Sequence, residues 1–206
     1  MKWLMILRHP FAVSLSNTKA FGLPITPELF LTERNPYASR IEPHRSLIQN
    51  TSDPYLRHVL VWCIVHKIAF SSPTMKSVTF VFYEDLVRNP EESFKLVFEA
   101  MGHAERFKNN LVKIMAAINR KSRVTSQDNA IRQSKFGKSK WMDVWPKETI
   151  KEGIKILQEF GMDLLYTEKH GHHTSGRELK QLILENGVPT HATNGLDTSV
   201  TDKPGT

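Results

Sequence analysis

The chain has 206 residues, of which 40% are hydrophobic and 24% charged, which indicates one globular domain, or one domain with an appendage. No apolar run approaches the ~18 residues of a membrane helix, and Cys63 is the only cysteine. We therefore expect neither an integral membrane protein, nor a disulfide scaffold, nor a cysteine-based zinc site. The net charge of +7 predicts an anionic partner: a nucleotide, a nucleic acid, an acidic glycan or a membrane surface.

The chain opens directly on an apolar segment, Trp3–Leu7, which Arg8 and His9-Pro10 close. A secretory signal needs an apolar stretch of ~7–15 residues, so this shorter run predicts a buried β-strand instead. Domains rarely begin on a core strand, because chain ends usually lie in exposed polar segments. We therefore expect a preceding part of the domain to be missing from this sequence.

Helices are predicted over residues 11–21 and 55–70, the second behind the Asp53-Pro54 helix start. Residues 22–53 hold four of the eleven prolines and are typical of loop with short helical turns. Residues 77–83 are β-branched and aromatic and form the clearest strand. Because buried parallel strands are continuous apolar runs, we expect residues 78–83 and Trp3–Leu7 to be neighbouring or near-neighbouring strands of a parallel sheet.

The second half of the chain is predicted to be helical up to about residue 160. Asn89-Pro90 opens one helix, which Gly102 ends, and amphipathic helices follow over 106–119 and 146–160. Residues 167–206 are polar, so we expect a mostly disordered tail after a domain over 1–166, with room for one or two helical turns at 177–185.

Basic residues are concentrated in residues 106–140, which contain ten Lys or Arg and one acid, Asp128. This pattern fits either a solvated basic surface or an anion site. Within it, Gly137-Lys138-Ser139 matches the end of a Walker A loop, but Arg132 stands where the first glycine should lie and no strand precedes it. We therefore reject a Walker A loop here.

A second candidate anion site runs from Arg8 to Ser16. Arg8 follows a predicted strand, and Ser16 lies in the helix that begins after it. Ligands of open α/β sheets bind beyond the carboxyl ends of the strands, and anions bind at helix N-termini. An arginine that caps loop carbonyls explains the pattern equally well.

Three segments, in the same order, resemble the sulfotransferases that use 3′-phosphoadenosine 5′-phosphosulfate (PAPS). Residues 4–16 are similar to the family's 3′-phosphate motif, in which a strand is followed by Arg and, eight residues later, by Ser. Arg8 and Ser16 have that spacing. The resemblance covers residues 3–166.

The other two segments resemble the parts of the family that hold the nucleotide. Residues 81–102 are similar to a later strand and helix whose tyrosine, matched by Tyr83, lies by the adenine. Residues 134–141 are similar to the basic, glycine-containing loop that closes over the 3′-phosphate. The matching residues there are Ser134, Lys135, Gly137 and Lys138.

The resemblance implies an α/β fold, with a P-loop-NTPase-like parallel sheet flanked by helices and incomplete at the N-terminus. It implies transfer of a sulfuryl group from PAPS to a hydroxyl or amine acceptor, leaving 3′-phosphoadenosine 5′-phosphate (PAP). The implied nucleotide-binding residues are Arg8, Ser16, Tyr83, Ser134, Lys135, Gly137 and Lys138.

The sequence departs from the family at the reacting centre. It contains no Pro-Lys-Ser-Gly-Thr-Thr-like phosphosulfate turn, and no acceptor-side His or Glu base upstream of Arg8. Sulfuryl transfer needs cations at the leaving phosphate and a base at the acceptor. We therefore expect this chain to retain mainly the part of the site that binds the 3′-phosphate and the adenosine, and to be inactive alone. The sequence assigns neither its catalytic residues nor its acceptor.

Two other functions remain open. One is a non-catalytic module that binds an adenosine bisphosphate or another polyanion through the same surface. The other is a nucleic-acid-binding module that uses residues 106–140, which is disfavoured because the basic loop offers only Phe136 and Trp141 for base stacking. The compartment is open too: cytoplasmic if no segment precedes the chain, and the Golgi lumen if an upstream signal anchor exists.

Overall fold

A computed structural model of the chain describes residues 2–21, 25–118, 140–166 and 175–186. Two strands, β1 (Trp3–Leu7) and β2 (Val78–Phe82), pair in parallel, with Trp3 opposite Val78 and Leu7 opposite Phe82. The described ranges contain ten α-helices: α1 (Pro10–Phe21), α2 (Ala38–Ile41), α3 (Arg45–Asn50), α4 (Pro54–Phe70), α5 (Tyr83–Arg88), α6 (Pro90–Ala100), α7 (Ala104–Ile118), α8 (Lys140–Val144), α9 (Lys147–Glu159) and α10 (Gly176–Asn186). Short 3-10 helices cover Pro27–Leu31, Glu42–His44 and Pro73–Ser77.

The parallel pairing of β1 and β2 confirms the prediction that these segments are neighbouring parallel strands. The long stretch between them, which includes α1 and α4, supplies the crossover that a parallel pair requires. The described part of the chain is thus mostly helical with a small parallel sheet, in agreement with an α/β class. The finer expectation, a P-loop-NTPase-like sheet, stays a prediction.

β1 is more exposed than the sequence predicts. Trp3 is 49% exposed and Ile6 is 53% exposed, whereas Leu7 at the end of the strand is fully buried. Successive residues of a strand point to opposite faces, so Leu4 and Ile6 share one face, and that face stays open to solvent. The prediction of a buried β1 is wrong along most of the strand, because among the described elements β1 makes extensive contact only with β2, whereas β2 also packs against α6 and α10.

The core lies where α1, α4 and α9 pack together. Asp53 starts α4 by accepting hydrogen bonds from the N–H groups of Tyr55 (2.8 Å) and Leu56 (3.0 Å), and Pro54 occupies the first turn. α9 approaches α1 so closely that a Cβ on Gly153 would lie 2.6 Å from Cε1 of Phe11. Glycine at position 153 therefore sets the distance between these helices.

Two glycines end helices as the sequence predicts. Gly102 follows α6 with φ +82°, and Gly161 follows α9 with φ +70°. In each case the next residue donates its N–H back into the helix: His103 to the carbonyl of Phe98 and Met162 to that of Leu157, both at 2.7 Å. This is the Schellman arrangement, and it requires a left-handed residue after the helix.

α10 lies inside the predicted tail, and its eleven residues exceed the one or two turns expected there. Leu179 is 1% exposed and Ile183 is 6% exposed, one helical turn apart, and both belong to the core. A Cβ on Gly176 would overlap the carbonyl oxygen of Phe80, so α10 begins directly against β2. The helix lies where the sequence leaves room for one or two turns, at 177–185, and it is longer than expected because two apolar residues at helical spacing are buried in the core. Residues 167–174 and 187–206 lie outside the described residues.

Within the described ranges, no helix combines the length and the apolar character needed to cross a membrane.

Candidate functional site

The candidate site lies at the carboxyl ends of the two strands, where Arg8 follows β1 and Tyr83 follows β2. Because Leu7 lies opposite Phe82, the residues that follow them, Arg8 and Tyr83, are neighbours. The Cζ atom of Arg8 lies 4.7 Å from the centre of the Tyr83 ring, a cation–π contact. We call this surface, formed by Arg8, His9, Tyr83 and Glu84, the carboxyl edge.

Arg8 is half-buried at the carboxyl edge. None of the ion pairs found between described residues involves Arg8. The direct partner of Arg8 is therefore the Tyr83 ring, and no carboxylate of the described residues forms an ion pair with Arg8. A guanidinium carries five N–H donors in a planar fork, which suits the bidentate recognition of a phosphate.

Glu84 joins three elements at this edge. Its Oε1 accepts the N–H of His9 at 2.9 Å, and its Oε2 accepts the hydroxyl of Tyr166 at 3.2 Å. The carboxylate thus ties the end of β1 and the residues after α9 to the first turn of α5. Tyr166 is fully buried, and its pKa is raised by burial and by the negative charge of Glu84. The phenol therefore stays protonated and keeps donating at neutral pH.

His9 is buried and caps α1. Its Nδ1 accepts the N–H of Phe11 at 3.3 Å, and its carbonyl accepts the N–H of Val13 at 3.0 Å. Pro10 has no N–H to offer. The donors at the start of α1 are thus largely used by the protein itself, so we expect an anion at this edge to rely on side chains more than on the helix N-terminus.

Trp141 brings α8 to the same corner. It is fully buried and stacks on His9 with ring centres 4.8 Å apart and planes 26° apart, and it meets Phe11 edge-on at 5.0 Å. Lys140, the first residue of α8, is exposed beside it. Lys140 is also the last residue of the basic segment 106–140. The end of this segment therefore lies next to His9, the residue that follows Arg8.

Of the other predicted site residues, the structure describes only Ser16, and no contact between Ser16 and Arg8 is found. Ser16 is exposed on α1, whereas Ser14, two residues earlier, is buried and donates to the carbonyl of Tyr55 at 2.8 Å. The remaining predicted residues, Ser134, Lys135, Gly137 and Lys138, lie outside the described residues. The structure thus pairs Arg8 with Tyr83 and places Ser16 on an accessible helix surface.

The sequence analysis did not find the hydrogen bond between Glu84 and Tyr166. The strand register predicts one of the two contacts of Glu84, the one with His9. Since Leu7 and Phe82 end neighbouring parallel strands in register, the second residue after each, His9 and Glu84, meet at the edge. No comparable signal pointed to Tyr166. Among the described residues, no group of three metal-ligating side chains is found at this edge or elsewhere.

Comparisons with protein-family models, with curated proteins and with solved structures each find no match to this chain.

Proposed function

We propose that the carboxyl edge binds the adenosine 3′,5′-bisphosphate part of PAPS or PAP, as the nucleotide half of a sulfotransferase-type site. The observation that carries the proposal is the contact between Arg8 and Tyr83. The sequence resemblance assigns the first to the 3′-phosphate and the second to the adenine. These two residues come from distant segments, and parallel pairing in this register is what makes them neighbours.

Arg8 supplies the charge for the 3′-phosphate. Charge-assisted hydrogen bonds from a guanidinium to phosphate oxygens are among the strongest polar contacts, and no carboxylate ion pair among the described residues competes for Arg8. Tyr83 offers an aromatic face, which stacks with a nucleobase independently of its hydrogen-bonding pattern. In this proposal the adenine and Arg8 occupy opposite faces of the ring.

Ser16 has a more distant role. At a rise of 1.5 Å per residue, it lies about 9 Å along the axis of α1 from Pro10. Its hydroxyl contacts the phosphate only if the Arg8 side chain turns along α1. We therefore expect Ser16→Ala to weaken binding less than Arg8→Ala does.

The anchor at Trp141 supports a role for the basic segment. Lys140, the last residue of the basic segment 106–140, is exposed beside Trp141, and Trp141 stacks on His9 at the carboxyl edge. A cation at the start of α8 favours a nucleotide site at the carboxyl edge over a general basic surface.

For the 206-residue chain alone we propose nucleotide binding and not sulfuryl transfer, which is the reaction of the family that it resembles. The 206-residue sequence has no phosphosulfate turn to meet the charge on the leaving phosphate. The second candidate, a non-catalytic module that binds adenosine bisphosphate, uses the same residues. The two functions differ in turnover and not in nucleotide binding.

Calorimetric titration with PAP tests the proposal. Arg8→Ala should weaken binding by about 1.5–3 kcal/mol, or roughly 10- to 150-fold, as for a lost hydrogen bond to a charged group. Arg88→Ala is the matched control, because Arg88 is exposed in the last turn of α5 and its loss changes the net charge equally. An equal loss in both variants, or in neither, would overturn the proposal. If Arg8→Ala fails to fold, Arg8→Lys, which retains the charge, replaces it in the titration.

A further inference from the structure

A groove lies at the amino end of β2, the end opposite the carboxyl edge. It is formed by the C-terminal end of α4, the 3-10 helix Pro73–Ser77 and the last turns of α10, and it has a volume of about 520 Å³. Cavities of roughly 300–1,000 Å³ are typical of small-molecule sites.

Three cationic side chains line this groove: Arg40, Lys67 and Lys76. No acidic residue is found among the described residues that line it. None of the three cations takes part in the ion pairs found between described residues. The groove thus carries positive charge that no described carboxylate neutralises by direct contact.

Lys67 is the most constrained of the three cations. It is half-buried near the C-terminal end of α4, and its Nζ lies 5.9 Å from the centre of the Phe160 ring. Burial lowers its pKa, which means that the surroundings disfavour the charged form. A bound anion would offset this cost, because a partly desolvated charge is stabilised by an opposite charge at short range.

The rest of the groove is apolar. Phe70 and Ile183 form a buried floor, Met75 is half-buried, and Leu184 is 48% exposed at the rim. Cations beside an apolar wall suit a ligand with an anionic head and a hydrocarbon body. An inorganic anion would leave the apolar wall unused, and a neutral hydrocarbon would leave the cations unpaired.

We propose that this groove binds a single-chain amphipathic carboxylate of the fatty-acid class. The carboxylate lies among Arg40, Lys67 and Lys76, and the alkyl chain lies along Met75 and Leu184. The cations provide selectivity for the anionic head, and the apolar wall provides affinity for the chain. This site is separate from the carboxyl edge, so its failure would leave the nucleotide proposal untouched.

Titration of the 206-residue protein with dodecanoate below its micellar concentration tests the proposal. We expect saturable binding of dodecanoate, at least tenfold weaker binding of dodecyltrimethylammonium, which has the same chain and the opposite charge, and no binding of acetate. Lys67→Met should weaken dodecanoate binding about tenfold or more. Lys155→Met, at an exposed position of α9, is the control and should leave binding unchanged.

Lys76→Met repeats the test at an exposed position, in case Lys67→Met disturbs folding. Equal dodecanoate affinity in all variants, or equal affinity for the cationic amphiphile, would overturn the proposal. Binding to vesicles of anionic lipid without any binding of monomeric dodecanoate would also overturn it, since that result indicates a membrane surface as the partner.

Discussion

Tyr166 donates its hydroxyl hydrogen to Oε2 of Glu84 at 3.2 Å, and this bond joins the end of the described domain core to the carboxyl edge. Tyr166 is fully buried, so the loss of its hydroxyl leaves one oxygen of a part-buried carboxylate without its donor. Tyr166→Phe should lower the free energy of unfolding by about 1–3 kcal/mol. Urea denaturation measures this change.

Tyr37→Phe is the control for that experiment, because Tyr37 is largely exposed and changes by the same single oxygen. We expect its unfolding free energy to stay within about 0.5 kcal/mol of the parent chain. A double-mutant cycle with Glu84→Gln should show a coupling energy of about 0.5–3 kcal/mol. Additive effects would contradict a direct bond between the two side chains.

Two half-buried histidines make the fold sensitive to acid. Burial, and for His44 also the nearby charge of Lys67, lowers the pKa of both His44 and His66 from 6.5 to about 4. As the pH falls below 6.5, the unfolded chain binds protons at these rings before the folded chain does. The free energy of unfolding should therefore fall between pH 6.5 and about 4.

Urea denaturation at several pH values between 6.5 and 5 tests this dependence, because few carboxylates titrate in that window. His66→Gln should reduce the slope of the unfolding free energy against pH by the equivalent of up to one bound proton. Stability that does not change over this window would show that the two rings are solvated in the folded protein.

Gly153→Ala should destabilise the fold although alanine favours helices. The new Cβ would lie 2.6 Å from Phe11 Cε1, so the buried Phe11 ring or one of the two helices would have to shift. Overpacking of this kind costs about 1–3 kcal/mol, which exceeds the gain of about 1 kcal/mol in helix propensity. Glu152→Ala, on the exposed side of α9, provides the comparison, and thermal unfolding provides the measurement. A rise in melting temperature for Gly153→Ala would contradict the close packing of α9 on α1.

The isolated chain should transfer no measurable sulfuryl group from PAPS. The loss of a single donor at the developing charge costs about 10²–10³ in rate, and the loss of the acceptor's base costs about 10²–10⁴ more. The sequence has neither the phosphosulfate turn nor an assigned base. Labelled-sulfate transfer to a panel of hydroxyl and amine acceptors checks this expectation. Turnover by the purified chain would mean that another cation, from residues 106–140, acts at the sulfonate.

Local chemistry made most of the helices predictable. Asp53-Pro54 starts α4, Pro90 opens α6 and Gly161 ends α9, because each residue type satisfies a local backbone requirement. The Asn89 side chain does not cap α6, which shows that the position was predictable and the hydrogen bond was not.

Long-range packing explains what the sequence did not reveal. The exposure of Trp3 depends on which elements pack against β1, which the composition of one strand does not encode. The burial of Leu179 depends on the close approach of Gly176 to Phe80, a contact between distant segments. At the candidate site, the meeting of Arg8 and Tyr83 followed from the predicted parallel pairing.

A comparison of PAP with adenosine 5′-monophosphate tests the central proposal most directly. The two nucleotides differ only in the 3′-phosphate, the group that the proposal assigns to Arg8. Calorimetry on the 206-residue chain should give at least a tenfold tighter dissociation constant for PAP, a difference of about 1.4 kcal/mol or more. In Arg8→Ala that preference should shrink, while binding of the monophosphate stays nearly unchanged. Equal affinities of the parent chain for the two nucleotides would contradict a 3′-phosphate site at the carboxyl edge.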